Sequence, residues 1–341
     1  MSATPAPTNV CPQCGAQFRC GMEGGDQECW CATLPPLLPG PATPHAGSPA
    51  ASCLCPACLK ARLVAAATES CPTPRLTEAG RSATVTVDAI NEHGEVVPTR
   101  IPGERPLTLY LDKREIVTLM TLGAAPEALV LGYLRNQRLV SRLEDIAAVQ
   151  VDWETDSAAV TTRNGNADVE KRLERRTITS GCGQGTMFGD LMESLDDIAL
   201  PDDGCLNTAT LAALLDNVRR HDSIYKEAGA VHGCALAAAD GEILMFVEDV
   251  GRHNAVDAIA GQMWLKNMGG GDKIFYTTGR LTSEMVIKTA QMGIPFIVSR
   301  SGLTEMGYSI ARKIGLTVIG RATGKHYLLF TGQHRFRKDG V

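Results

Sequence analysis

The stretch Thr179-Ser180-Gly181-Cys182-Gly183-Gln184-Gly185-Thr186 sets one cysteine among three glycines. Glycine on both sides leaves the thiol sterically open and lets the backbone swing. Arg175 and Arg176 lie just upstream, and cationic neighbours favour the thiolate, the reactive form of the side chain. A thiolate of this kind can attack a persulfide, hold the terminal sulfur and pass it on, which makes Cys182 the candidate catalytic residue. Most isolated cysteines are instead inert small hydrophobes, and the loop alone does not exclude that. Cys234 lies in an apolar strand-like run and reads as core. Cys205 sits beside a helix start with no evident partner.

Two further stretches place polar residues between core segments. Glu248-Asp249-Val250-Gly251-Arg252-His253-Asn254-Ala255-Val256-Asp257 follows a strand and opens a helix, the place where α/β sheets carry ligands. Arg252 suits a phosphate at a helix N-terminus, while Asp249, His253, Asn254 and Asp257 suit hydrogen bonds to a base or a pterin. Thr277-Thr278-Gly279-Arg280-Leu281-Thr282-Ser283-Glu284 repeats the arrangement, with Arg280 in the turn and Ser283 at the helix start. Ordinary capping accounts for Thr282 and Ser283 but poorly for the Asp249–Asn254 run. Two such turns at neighbouring strand ends predict a pocket for a large anionic ligand.

Nine of the twelve cysteines and twelve of the eighteen prolines lie in the first 80 residues, which marks a boundary near 70–80. Cys11-Pro12-Gln13-Cys14-Gly15 and Cys55-Pro56-Ala57-Cys58 are two C-P-x-C turns, with Cys20, Cys29-Trp30-Cys31 and Cys53 between them. Without a secretion signal, clustered cysteines read as metal ligands or redox thiols rather than disulfides. Cys11, Cys14, Cys29, Cys31, Cys53, Cys55 and Cys58 are the candidate zinc ligands; with Cys20 they make eight thiols, enough for two four-ligand sites.

The elements that must position these residues follow from length and pattern. At 341 residues the chain predicts two body domains plus an appendage. A hydrophobic content of 44% against 21% charged excludes wholesale disorder. A net charge of −5 argues against a nucleic-acid-binding surface across the whole chain. No apolar run reaches membrane-spanning length, and the first seven residues lack the charged and apolar regions of a signal peptide, so a cytoplasmic protein is expected. Residues 83–87, 107–111, 115–120, 146–153 and 157–162 read as strands, and Pro126 opens a helix. Thr208 caps a helix through Leu211, Leu214, Leu215 and Val218. Val231–Ala239 and Ile243–Glu248 flank Asp240-Gly241 as a hairpin. Helices over 252–266, 282–291 and 303–314 then alternate with strands over 273–277, 295–299, 316–319 and 326–330, predicting a three-layer α/β domain with a mostly parallel sheet. The expected organisation is a Cys-rich segment over 1–75, a smaller β-rich α+β domain over 82–180, a mobile cysteine loop over 181–205 and an α/β domain over 206–337.

The run E-D-V-G-R-H-N-A-V-D at Glu248–Asp257 is long and specific. Together with T-G-R-L-T-S-E-M at 278–285, Gly293-Ile294-Pro295, Val298-Ser299, Thr331-Gly332, Pro106-Leu107-Thr108-Leu109 and the Ser-Gly-Cys loop, it resembles the formate dehydrogenase accessory sulfurtransferase family (FdhD) over residues 80–337. The resemblance implies a cytidine-deaminase-like second domain and a homodimer. It also implies a sulfur carrier that takes persulfide sulfur from a cysteine desulfurase and delivers it to the molybdenum cofactor, in its bis-guanine-dinucleotide form, before insertion into formate dehydrogenase. The cofactor is then expected against the loop Arg321-Ala322-Thr323-Gly324-Lys325-His326, whose Arg321 and Lys325 suit phosphate. The family commonly carries C-x-x-C where this chain has Cys182 and Gly185, so a dithiol mechanism within the loop is ruled out. Residues 10–60 resemble the cysteine-rich CWC family. A cofactor-binding chaperone that moves no sulfur is the alternative. A zinc deaminase is disfavoured, because His232-Gly233-Cys234 lacks the glutamate and no P-C-x-x-C follows. An adaptor built on the zinc segment would leave the polar clusters unexplained.

Overall fold

The computed structural model describes residues 9–21, 25, 29, 31, 54–61, 73–165, 195 and 198–338. The chain divides into two compact units, Met1–Pro72 and Thr73–Val341. In the first, β1 (Asn9–Val10) and β2 (Gln17–Phe18) pair antiparallel around the first C-P-x-C turn. There Cys11 N–H reaches Ala16 O at 2.8 Å, and Gly15 takes the left-handed conformation (φ +72°) that closes the turn. The second C-P-x-C opens a helical stretch over 56–61. The core of this unit is made largely of thiols: Cys11, Cys20, Cys29 and Cys55 are buried with Phe18.

The second unit begins with β3 (Arg75–Leu76), the hairpin β4 (Thr84–Ile90) and β5 (Val96–Pro102), then β6 (Arg105–Leu111) and β7 (Arg114–Thr121), helix α1 (Pro126–Asn136), and β8 (Ile146–Asp152) and β9 (Ser157–Thr162). Strands β3-β8-β9-β6-β7 form one sheet. Alternation along β6 turns Leu107, Leu109 and Leu111 inward, against Leu129, Val130 and Leu134 of α1. After β10 (Leu206–Asn207) and α2 (Thr208–Arg220) come the short α3 (Ile224–Ala228), β11 (His232–Ala237), β12 (Ile243–Asp249) and α4 (Arg252–Leu265). They are followed by β13 (Ile274–Thr277), α5 (Ser283–Gln291), β14 (Phe296–Ser299), α6 (Glu305–Lys313), β15 (Thr317–Thr323), β16 (His326–Thr331) and β17 (Phe336–Arg337).

The second sheet has the order β12-β11-β13-β14-β15-β16. Its two faces are sorted by the period of two: Cys234, Leu236, Phe275, Ile297 and Val318 pack on α4, α5 and α6, and Ala235, Ile274, Tyr276, Val298 and Ile319 pack on the α2 side. This is the expected three-layer α/β arrangement preceded by β-rich structure, with a Cys-rich N-terminal segment. The expectation of a mostly parallel sheet is corrected: only β13/β14 and β14/β15 are parallel. β12 pairs antiparallel with β11 and β15 with β16, because the tight turns at Asp240-Gly241 and Gly324-Lys325 can join only antiparallel neighbours; β11, inserted between β12 and β13, is antiparallel to β13 as well. The cap of α2 is Asn207 rather than Thr208; its Oδ1 accepts Thr210 N–H at 2.7 Å. β5 escaped the sequence pattern because Pro98 and Pro102 demote a strand reading, and α3 because five residues are too few to show a period.

Helices α1 and α4 join the two sheets. A Cβ at Gly132 would overlap the Asp257 carbonyl oxygen, and one at Gly261 the Ala128 carbonyl oxygen. The helices therefore meet backbone to backbone, and both are buried on nearly every side, as helices between two layers must be. Among the described residues no helix is long and apolar enough to cross a membrane.

Candidate functional site

The sheet topology collects basic residues along one edge. β12, β13, β14 and β15 all end there, and β11 and β16 begin there. In sheet order the edge presents Arg252 after β12, His232 opening β11, Arg280 after β13, Arg300 after β14 and Arg321 near the end of β15. Arg280, Arg300 and Arg321 are exposed and Arg252 is buried. Burial first, then the charges of Arg252, Arg280 and Arg300, depress the His232 pKa, so these three guanidinium groups share one field. Helices α4, α5 and α6 start at the same edge and add the positive ends of their dipoles. Loop backbone laces the edge together: Thr278 N–H to Gly233 O at 2.9 Å, Leu281 N–H to Gly302 O at 2.9 Å, and Arg321 N–H to Ser301 O at 2.8 Å. Arg300 also lies over the Tyr225 ring, and Glu248 anchors α3 by accepting the Tyr225 N–H at 3.2 Å and the Ile224 N–H. A cleft of about 670 Å³, lined in part by Ile224, Lys226 and Glu248, opens beside that helix.

Behind the edge, the polar residues singled out in the sequence hold the strands and helices in place. Asp249 accepts Thr121 Oγ1–H (2.5 Å) and Leu122 N–H (3.3 Å) on one oxygen, and Gly251 N–H (3.2 Å) and Asn254 Nδ2–H (2.8 Å) on the other. Asn254 also donates to Met120 O at 2.6 Å. The pair ties the end of β7 to the end of β12, and burial raises the Asp249 pKa. His253 Nε2 lies 3.2 Å from Glu284 Oε2, bridging the first turns of α4 and α5; burial, reinforced by Lys288 and Arg252, pushes its pKa down to about 2, so the ring is neutral. Asp257 is fully buried, accepting Asn136 Nδ2–H and Lys288 Nζ–H, each at 2.7 Å.

The remaining expected residues fall into two groups. Arg321, Thr323, Gly324, Lys325 and His326 are exposed around the β15–β16 turn, which projects from the basic edge, whereas Ala322 points into the core. Ser283 is half-buried in the first turn of α5. His232 and Arg300 were missed in the sequence. The signal for Arg300 was the Ser299-Arg300-Ser301-Gly302 turn after a strand; His232 had none, because its place depends on β11 lying between β12 and β13.

Cys182, with Arg175 and Arg176, lies outside the described residues, as do Cys53 and most of 181–205. Cys234 is core: burial pushes its thiol up to about 12, and it donates to Thr277 Oγ1 at 3.3 Å. Cys205 is exposed. In the N-terminal unit the sulfurs of Cys11, Cys14, Cys55 and Cys58 all lie within 4.8 Å of one another. Backbone N–H groups, chiefly that of Cys55, lower the Cys11 pKa to about 6, whereas the hydrogen bond with Cys14 raises Cys58 to about 12. Cys29 and Cys31 touch each other at 3.3 Å.

The profile of the FdhD/NarQ family matches residues 102–337. The chain belongs to that family. The cysteine-rich CWC profile matches residues 11–60. The sulfur carrier protein FdhD of Listeria monocytogenes serotype 4b is 30% identical over 241 residues, covering 70% of this chain and 92% of the relative. The sulfur carrier protein FdhD of Bacillus subtilis is 28% identical over 255 residues, 72% and 95% of the two chains. The crystal structure of a formate dehydrogenase accessory protein from Desulfotalea psychrophila aligns with TM-score 0.59 and 27% identity, over 74% of this chain and 98% of that one.

Proposed function

We propose that the protein is a cytoplasmic, homodimeric sulfur carrier that matures formate dehydrogenase. The Cys182 thiolate attacks the terminal sulfur of a cysteine desulfurase persulfide. That S–S bond breaks, the desulfurase cysteine leaves as thiolate, and Cys182 becomes the persulfide. Its terminal sulfur then passes to the molybdenum cofactor in bis-guanine-dinucleotide form. With Gly185 in place of a second loop cysteine, an external thiol attacks the inner Cys182 sulfur: the persulfide S–S bond breaks, its terminal sulfur leaves at the sulfide level for the cofactor, and a mixed disulfide forms on Cys182, which a second external thiol reduces back to the thiol. The observation that carries this reading is the basic edge: Arg252, His232, Arg280, Arg300 and Arg321 on consecutive strands, backed by three helix N-termini, suit a substrate bearing pyrophosphates, and the Arg321–His326 turn stands beside them.

The test is intact mass spectrometry after incubation with a desulfurase and cysteine. The expected gain is about 32 Da per sulfur, removable by reductant and mapped to Cys182. If a Cys182→Ala protein still supports formate dehydrogenase maturation, the carrier reading is overturned and a cofactor-binding chaperone takes its place.

We further propose that Cys11, Cys14, Cys55 and Cys58 hold one zinc ion. Two C-x-x-C pairs are the usual donor set of a structural site. With Zn–S bonds of about 2.3 Å, tetrahedral geometry needs sulfurs about 3.8 Å apart; Cys14 and Cys55 are 3.6 Å apart. Bound there, zinc fastens the β1–β2 turn to the 56–61 helix in a unit with little hydrophobic material, supplying folding free energy that the core lacks.

A further inference from the structure

We infer that Ser299 is the positioning residue of the basic edge: one buried hydroxyl, bonded to the loops after β13 and β14 and through them to β15, fixes Arg280, Arg300 and Arg321 relative to one another. The inference rests on the proposed binding of a pyrophosphate-bearing substrate at that edge. Ser299 closes β14 and pairs with Thr277, which closes β13; both are 0% exposed. Ser299 Oγ donates to Gly279 O at 2.7 Å and accepts Ser301 N–H at 2.9 Å. Thr277 Oγ1 accepts Gly279 N–H at 3.1 Å, and Thr277 O accepts Arg300 N–H at 3.2 Å. Gly279 is thus held at both its N–H and its carbonyl oxygen, directly before Arg280. Ser301 passes the constraint on, because its carbonyl oxygen accepts Arg321 N–H at 2.8 Å. Each of these bonds ends on an arginine of the edge or on the residue beside one.

Arg321 needs such a hold. It sits at φ +51°, a left-handed conformation that side chains with a Cβ disfavour, where the β15/β16 register slips between Gly320 and Thr323. An irregularity of this kind re-aims a side chain, and the bond to Ser301 O keeps the new aim. Arg252 joins the group by shape: a Cβ at Gly279 would come within 2.8 Å of its Cδ, so the turn closes against that side chain only with glycine there. Like-charged guanidinium groups repel one another, and loops free to move would let them spread. Held in place beforehand, they meet an anion without the cost of ordering them. Ser299 is sealed from solvent and touches no ligand, so its effect travels through the loops.

Calorimetric titration of the full chain with inorganic pyrophosphate is the test. Ser299→Ala should weaken binding about tenfold, through lost preorganisation of the arginines. A serine that served only the fold would subtract the same factor whatever else is changed. A positioning serine loses its effect once the arginines it aims are gone, so the loss should shrink in an Arg280→Gln/Arg300→Gln background. Equal losses in the two backgrounds overturn the inference, as does a Ser299→Ala protein that binds like the parent. A parent that takes up no pyrophosphate overturns the proposed substrate site, and this inference with it. Should Ser299→Ala fail to fold, amide exchange in the unaltered chain decides the matter. Ser301 and Arg321 amides equally protected with and without pyrophosphate support the inference, and protection that arises only with pyrophosphate overturns it.

Discussion

Replacing Lys288 by Met tests whether the seam between the layers depends on a sealed charge pair. Lys288 Nζ lies 2.7 Å from Asp257 Oδ2, with side chains 1% and 0% exposed, and the other Asp257 oxygen accepts from Asn136 of α1. Three helices therefore meet on one carboxylate. Methionine fills a similar volume but leaves that carboxylate without its cation, in surroundings whose burial already raises its pKa. Breaking one partner of a buried pair costs about 3–5 kcal/mol. The sign of the pH dependence follows from linkage: a carboxyl whose folded pKa stands above its unfolded value loses stability as pH rises from the unfolded to the folded value. The Lys288→Met deficit should therefore be largest at pH 7.5 and shrink toward pH 5. Adding Asp257→Asn, which keeps an acceptor for Asn136, should recover much of the loss. Urea unfolding of the parent, the single variant and the double variant at both pH values measures this. A single variant within about 1 kcal/mol of the parent, or a double variant no better than the single one, would refute the reasoning.

His253, held at about 2 against an unfolded value near 6.5, should cost the folded state about 2 kcal/mol between pH 7.5 and pH 5, because only the unfolded chain takes up the proton; a stability difference from His253→Gln that does not vary with pH would count against it. Gly261→Leu should abolish cooperative unfolding of the second unit by driving a side chain into the Ala128 carbonyl, whereas Gly269→Leu, with open space around it, should leave the transition nearly unchanged. Arg300→Ala should weaken binding of guanosine diphosphate, as a probe for the dinucleotide ends, by about 1.5–3 kcal/mol in calorimetry, with weaker salt dependence; unchanged affinity would remove Arg300 from the site. Chelation of zinc from the full chain should erase hydrogen-exchange protection around Cys11 and Cys55 while leaving α4 protected, and loss of protection in both places would mean the second unit also depends on the metal.

Much of the strand and helix order was legible, because the β11–β16 region alternates period-two and helical patterns and its turns carry Asp-Gly and Gly-Lys. The Glu248–Asp257 run was legible as unusual but not as to its task. Hydrogen-bonding side chains are chosen equally for ligands and for buried scaffolding, and only burial tells Asp257 from Arg280. Strand direction was harder to read: whether a strand pairs with its sequence neighbour or inserts elsewhere depends on contacts many residues away, which is why the sheet was expected to be more parallel than it is.

The amino-acid sequence by itself determined the thiol-rich segment with its two C-P-x-C turns, the glycine-flanked Cys182, the helices and strands of the body and membership of a recognisable family, since each is a local matter of residue type and spacing. The tertiary structure decided which four cysteine sulfurs come within reach of one another and that α1 and α4 meet at Gly132 and Gly261. It also decided that Asp249, Asn254 and Asp257 point inward, and that basic residues from five separate strands line one edge. These are facts about residues far apart in the chain, and only the packing of the sheets and helices brings them to the same place.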